Sequence, residues 1–314
     1  MNLLATLRYL VALNTHQHFG RAAQACNVTQ PALSNALRSL EEEFGTAIVK
    51  RGRNYAGLTP EGERVLSTAQ RMLRERDLLQ QELDSAAARP QGRLTLGAVP
   101  TAVPIVARFA AKLKARCPGI SPIVRSMSSP EIEAGLESLS LDLGLGYTDR
   151  IKQQNTHLAT IAQYTEHYFL VQRTDEPNAK GLHVGKPVSW REAGELPLCL
   201  LTPEMHNRTI VGSALAMAGV EVKPEIETNS VLTLALSVVA GNVCSILPGA
   251  LVDAVRTYAE LQARPLTSPD VRTPVGFMMV ATDRPSRTLR AAVDLARDPE
   301  WLEHAAAHSA EIDV

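Results

Sequence analysis

In the stretch "NVTQPALSNALRSLEEEFG", Asn27 to Gly45, polar side chains recur where a helix would begin. Gln30, Ser34 and Arg38 are four residues apart, so they share one helical face, with Asn35 beside them. None is a nucleophile next to a base. They are hydrogen-bonding groups of the kind that read base edges: Gln pairs with adenine, Arg with guanine or phosphate, and Ser with several bases. Pro31 adds an apolar surface for a thymine methyl, and Thr29 can cap the helix while standing next to phosphate. The competing reading is a plain solvated face. The neighbouring turn and the basic stretch "AIVKRGRNYAGLTP" argue against it, because Lys50, Arg51 and Arg53 would sit at the tip of a hairpin suited to backbone or minor groove.

A second group of polar residues lies further along. Thr101, Ser128-Ser129, Thr202 and Asn229-Ser230 each follow an apolar run that reads as a strand, at the place where α/β folds bind ligands and helix N-termini offer free N–H groups. Each is also a good helix cap, and that role alone would account for it. Thr101, Ser128 and Thr202 are expected to begin helices and to converge on a small anion. Arg208 is a further cation near this group, with a structural role as its alternative.

Other chemistries find no support. The eight histidines are scattered, and there is no GxSxG elbow, Walker loop or Rossmann glycine triplet. Cys26, Cys117, Cys199 and Cys244 are far apart and form no CxxC pair, which argues against a zinc site or disulfide framework and fits a reducing cytosol. Cys199 and Cys244 could serve a redox sensor, but both lie in apolar strands, where an inert core thiol is the plainer account. No catalytic set, metal site or cofactor is expected.

These residues must be positioned by 314 residues that are 45% hydrophobic and 21% charged, enough for two or three domains. The net charge of −1 carries no argument for nucleic acid over the whole chain. Residues 1–60, however, hold six basic against three acidic side chains, so the first segment is locally positive. The amphipathic "MNLLATLRYLVAL" carries Arg8 within its apolar run and reads as a helix rather than a leader, and no run approaches the ~18 apolar residues of a membrane span. A cytoplasmic protein without membrane contact is expected.

Three helices and a hairpin make a winged helix-turn-helix over residues 1–59. Residues 60–89 read as one long helix in which Val65, Ala69, Met72, Arg76, Leu79, Leu83 and Ala86 form a heptad seam suited to dimerisation. Alternating strands and helices follow. They fit an α/β domain with parallel sheets in two lobes, 90–165 with 265–303 and 166–264, and then a loose tail over 304–314.

Ala22-Ala23, Gln30-Pro31-Ala32-Leu33-Ser34, Leu40-Glu41, Gly45, Arg51, Leu58-Thr59 and Gly62 stand in the order and register of the LysR-type transcriptional regulators, and the chain resembles that family over residues 1–303. The resemblance implies a winged helix-turn-helix and a two-lobed, periplasmic-binding-protein-like effector domain. It also implies a dimer through the linker helices, assembled into a dimer of dimers, on interrupted palindromes in promoter DNA. A small effector, carboxylate or other anion, would bind between the lobes near Thr101, Ser128, Ser129 and Thr202, with RNA polymerase as a further partner. Asn35 stands where the family often has a basic residue, and Ile48-Val49 where Leu-Phe is common.

Overall fold

The first helix, α1 (Leu3–His16), starts where the Asn2 side chain accepts from the Ala5 amide and buries Leu7, Leu10 and Leu13 on one stripe. Helix α2 (Phe19–Ala25) is capped by His18, whose Nδ1 accepts from the Gly20 and Arg21 amides. Asn27 then takes a left-handed conformation, φ 55°, a geometry Asn tolerates better than most residues. This turn leads into α3 (Gln30–Phe44). Thr29 caps it by accepting from the Ala32 amide, Pro31 sits in its first turn, and Gly45 ends it at φ 63°.

The computed structural model describes residues 2–50, 55–84, 90–151, 157–174, 176–177, 181–283 and 285–309. Arg51, Arg53 and Ala86 lie outside them. The chain divides into two units, Met1–Ala88 with Glu137–Ser140, and Arg89–Leu136 with Leu141–Val314.

In the first unit an antiparallel bridge joins Val49 to Leu58, and the long helix α4 (Pro60–Asp84) follows. Thr59 Oγ1 accepts from the Gly62 amide at 2.9 Å and donates to the Ala47 carbonyl at 2.6 Å, fixing the start of α4 against the wing. The heptad seam is only partly free. Ala69 is fully buried and Val65 packs beside it, both in the core built on Leu10, Leu33 and Leu40. Met72, Leu79 and Leu83 are exposed, and Arg76 pairs with Asp77 of its own helix at 2.9 Å. The early seam positions therefore hold the DNA-binding unit together, because α4 must first bury one face against α1.

The second unit contains two sheets. The first is built from β1 (Gly92–Ala98), β2 (Ile120–Ser126), β3 (Leu143–Tyr147), β4 (Leu158–Glu166) and a late strand, β12 (Thr273–Val280), in the order β2-β1-β3-β12-β4. Around it lie α5 (Val103–Arg116), α6 (Ser129–Glu137), α11 (Arg287–Ala296) and α12 (Pro299–Ala307), and Phe109 anchors the core with Phe277 and Trp301 at 4.5 and 5.1 Å between ring centres.

The second sheet holds β5 (Tyr168–Arg173), β6 (His183–Val184), β7 (Val188–Ser189), β8 (Leu198–Leu201), β9 (Ile226–Thr228), β10 (Cys244–Pro248) and β11 (Leu261–Thr267), with the path β6-β11-β5-β10-β8-β9 and β7 paired to β11. Its helices are α7 (Trp190–Gly194), α8 (His206–Met217), α9 (Val231–Ala240) and α10 (Gly249–Ala254).

Three sequence expectations need correction. The sheets are mixed rather than parallel: β12 runs antiparallel to β3 and β4, and β5 antiparallel to β10 and β11, because the crossing strands enter each sheet against its direction. The chain crosses at His167, but the return comes only after Thr267, later than residue 265, since β11 stays paired in the second sheet through Leu266 and Thr267. Residues 304–309 are not a loose tail. Helix α12 continues to Ala307, and Ala305 and Ser309 are buried, because the apolar side of that helix completes the core around Trp301.

Candidate nucleic-acid interface and effector cleft

Helix α3 has two faces. Leu33, Leu37 and Leu40 are buried, while Thr29, Gln30, Pro31, Asn35 and Arg38 are exposed and Ser34 is half-buried. A core of leucines therefore fixes the helix and leaves its N-terminal polar residues facing outward, the geometry of a helix that enters a major groove. Ser34, Arg38 and exposed Lys50 line one groove of about 760 Å³ between the helix and the wing. Glu41 holds this arrangement, its Oε1 accepting from the Ile48 and Val49 amides at 2.8 and 2.9 Å. Glu41 and Glu42 also line the groove, with Glu41 turned inward onto the wing backbone.

In the second unit the four expected effector residues sit at strand ends but differ in what they do. Thr101 lies in a 3-10 turn, Pro100–Ala102, is 1% exposed, and its hydroxyl is 2.9 Å from the Tyr147 hydroxyl. Ser128 precedes α6, and both its amide and its hydroxyl donate to Glu131 Oε2, at 2.7 and 2.8 Å. Ser129, 5% exposed, has a buried hydroxyl with no hydrogen-bond partner. Thr202 does not begin a helix: Pro203, Glu204 and Met205 form a turn before α8, and the Thr202 hydroxyl donates to Glu204 Oε1 at 2.6 Å. Three free capping hydroxyls aimed at one anion are thus absent, because two of the three already serve a neighbouring glutamate.

The groups that meet across the lobes are others. Tyr147, at the end of β3, receives a hydrogen bond from Asn207 Nδ2 of α8 at 3.4 Å, and its ring packs edge-on against His206 at 5.1 Å. Arg150 Nη1 is 3.4 Å from His206 Nδ1, and Arg150 Nε is 3.5 Å from Glu133 Oε1 on α6. A guanidinium only donates, so Nδ1 of His206 accepts and Nε2 carries the hydrogen; Nε2 is buried without a partner. Burial, then the Arg150 charge, lowers the His206 pKa, with Asp149 opposing. The imidazole is therefore neutral at neutral pH. Met205 supplies no side-chain cap to α8, which leaves the positive end of that helix beside Arg150 and His206. Arg208, one residue beyond Asn207, has an unpartnered buried Nε and lines a groove on the outer side of α8.

Sequence reasoning missed Tyr147, Arg150, His206 and Asn207. Position in the chain carried the only available signal: Tyr147 ends the strand "LGLGY", and His206 opens a helix after "LPLCLL".

The thiols are separated by the sheet. Cys199 is buried on one face among Phe169, Val171 and Leu201, while Cys244, on the adjacent strand, packs on the other face near Leu198 and Ile246. Burial raises both thiol pKa values, with a Ser237 hydrogen bond pulling Cys199 partly back.

Comparison with known proteins agrees with this architecture. Residues 4–63 match the bacterial regulatory helix-turn-helix protein model of the LysR family, and residues 87–299 match the LysR substrate binding domain. The chain is 28% identical over 292 residues to the DNA-binding transcriptional dual regulator OxyR of Escherichia coli K12, covering 91% of this chain and 90% of that one. A full-length OxyR variant from Pseudomonas aeruginosa superposes with a TM-score of 0.69 at 24% identity, covering 93% and 96% of the two chains. CbnR, a LysR family transcriptional regulator solved in complex with its target DNA, gives 0.66 at 19% identity, covering 96% and 99%. At these identities the two structures share the fold. The chain belongs to the LysR family of DNA-binding transcriptional regulators, with a helix-turn-helix and an effector-binding domain, and is not an enzyme.

Proposed function

We propose that this regulator binds interrupted palindromic promoter sites as a dimer or dimer of dimers, and that a small anion between its lobes changes how it holds them. The DNA reading rests on one observation: Gln30, Ser34 and Arg38 share the outward face of a helix whose opposite face is buried. Arg38 and Lys50 would position the chain on phosphate, and Gln30, Ser34 and Asn35 would read bases. Exposed Leu79 and Leu83 at the far end of α4 supply the apolar surface for pairing two chains.

The anion reading now rests on Arg150, His206, Ser129 and the start of α8. Ser129 and Glu133 are one turn apart on α6, and Arg150 connects Glu133 to His206. An anion that drew Arg150 away from Glu133 would lie beside the uncapped start of α8, and the unpartnered Nε2–H of His206 and hydroxyl of Ser129 are further donors on α8 and α6. Thr101 would act through Tyr147, as a positioning residue. Calorimetric titration of wild type and Arg150→Ala with a panel of small carboxylates and inorganic anions tests this. Binding that ignores Arg150 would place the effector elsewhere.

The likeness to OxyR raises a second reading, a thiol sensor. A buried Cys199 and a half-buried Cys244, with raised pKa values and on opposite faces of a sheet, disfavour it, since the reactive form is an accessible thiolate.

A further inference from the structure

Glu166 is the last residue of β4 in the first lobe, and Tyr168, two residues on, opens β5 in the second. The Glu166 side chain has no solvent exposure. Its Oε2 accepts from the Tyr168 hydroxyl at 3.3 Å, and that hydroxyl lies 3.2 Å from Thr273 Oγ1, where the chain returns to the first lobe. Oε1 is buried without a partner. The carboxyl thus bonds the residue that opens the second lobe and, through the Tyr168 hydroxyl, is tied to the strand that returns to the first.

Among the described residues, its surroundings contain no cation to neutralise it. Titratable neighbours are Tyr164 on its own strand, Tyr147 from β3 and Tyr168 from β5, and the Thr101 hydroxyl also reaches it. His206 stands behind the Tyr147 ring and is neutral, and Arg150 stands behind His206. Arg272, next to Thr273, turns to Asp270 at 2.9 Å. Among the described residues no basic side chain pairs with Glu166. An unpaired carboxylate in such a place costs so much desolvation energy that the group keeps its proton.

The geometry points to Glu166 as a protonated latch: it holds its proton while the two lobes are together and releases it when they part, so lobe opening is linked to proton release. Burial raises its pKa to about 8, with hydrogen bonds from Tyr147, Tyr168 and Thr101 pulling it down. Opening admits water and returns the acid to the ordinary carboxylate range. Between that range and about pH 8 the closed form binds one proton more than the open form. Its stabilisation is complete at low pH and is lost as pH rises to about 8, by about tenfold in the closed-to-open ratio per pH unit. This linkage does not depend on what the effector is.

Infrared titration of the full chain from pH 5 to 9.5 tests the idea. The carbonyl stretch of a buried protonated acid should persist at pH 7, vanish around pH 8 and be missing in Glu166→Gln. Over the same range the wild-type melting temperature should fall relative to that of Glu166→Gln, which cannot ionise. Absence of a protonated-acid band in wild type at pH 7 would overturn the latch, and this needs no variant. A band that Glu166→Gln retains, or melting curves that stay parallel, would overturn it equally.

Discussion

Arg150 of the first lobe and His206 of the second face each other at 3.4 Å, guanidinium Nη1 to imidazole Nδ1. This contact puts a permanent cation against a neutral ring at the start of α8, with Glu133 as the cation's other partner. Removing Glu133 leaves Arg150 unpaired on that side. Glu133→Gln should therefore tighten binding of small carboxylates or oxyanions, and Arg150→Ala should weaken it by tenfold or more, the ~1.5–3 kcal/mol of a hydrogen bond to a charged group. Calorimetry reads both. Equal affinities in all three proteins would remove Arg150 from the effector site.

Gly62 meets the wing at a distance no side chain permits: a Cβ there would lie 2.1 Å from the Ile48 carbonyl oxygen. Gly62→Ala must push the start of α4 away from the wing, at a cost of about 1–3 kcal/mol. Thermal unfolding of residues 1–88 within the full chain, followed by hydrogen exchange, should show this unit melting earlier while the second unit is unchanged. A wild-type profile would mean that the contact is loose.

Leu79 and Leu83 are exposed on α4, whereas Ala69, earlier in the same seam, is already buried. Leu79→Asp with Leu83→Asp should leave the fold of one chain intact and produce monomers by sedimentation. Ala69→Asp should instead unfold the first unit, because the charge would enter a core with no partner. A double aspartate variant that still sediments as the wild-type assembly would remove the helix from the interface.

Cys199 and Cys244 lie on adjacent strands with their side chains on opposite faces. Hydrogen peroxide should consequently form no disulfide between them, and Cys199→Ala with Cys244→Ala should bind promoter DNA as wild type does before and after peroxide. Peroxide-dependent DNA binding that the double variant lacks would establish the thiol-sensor reading.

How far the residues announced all this depended on range. Thr29 as a cap, Gly45 in the left-handed conformation and the buried stripe Leu33-Leu37-Leu40 are local rules, and the helix follows them. Many of the strands and helices were likewise legible from apolar periodicity, but β4, β11 and the two last helices were not. Thr202 was misread because three turn residues separate its strand from the next helix, which sequence spacing alone does not reveal. Ser128 stands just before α6 as expected, yet its hydroxyl donates to Glu131 rather than to a ligand. Arg150, His206 and Glu166 gain their meaning only once strands far apart in the chain cross between lobes. The half-buried seam has the same origin: a heptad pattern shows an apolar stripe but not which neighbour covers it.

We infer that the outward face of α3 reads DNA sequence. Repeated selection of binding sites from random duplex DNA, run in parallel with wild type and Gln30→Ala, tests it with no promoter chosen in advance. The wild type should enrich an interrupted inverted repeat, and Gln30→Ala should lose preference at one position in each half, ~1–3 kcal/mol per contacted base. Recovery of the same motif with undiminished preference by Gln30→Ala and by Ser34→Ala, or no motif from the wild type, would contradict it.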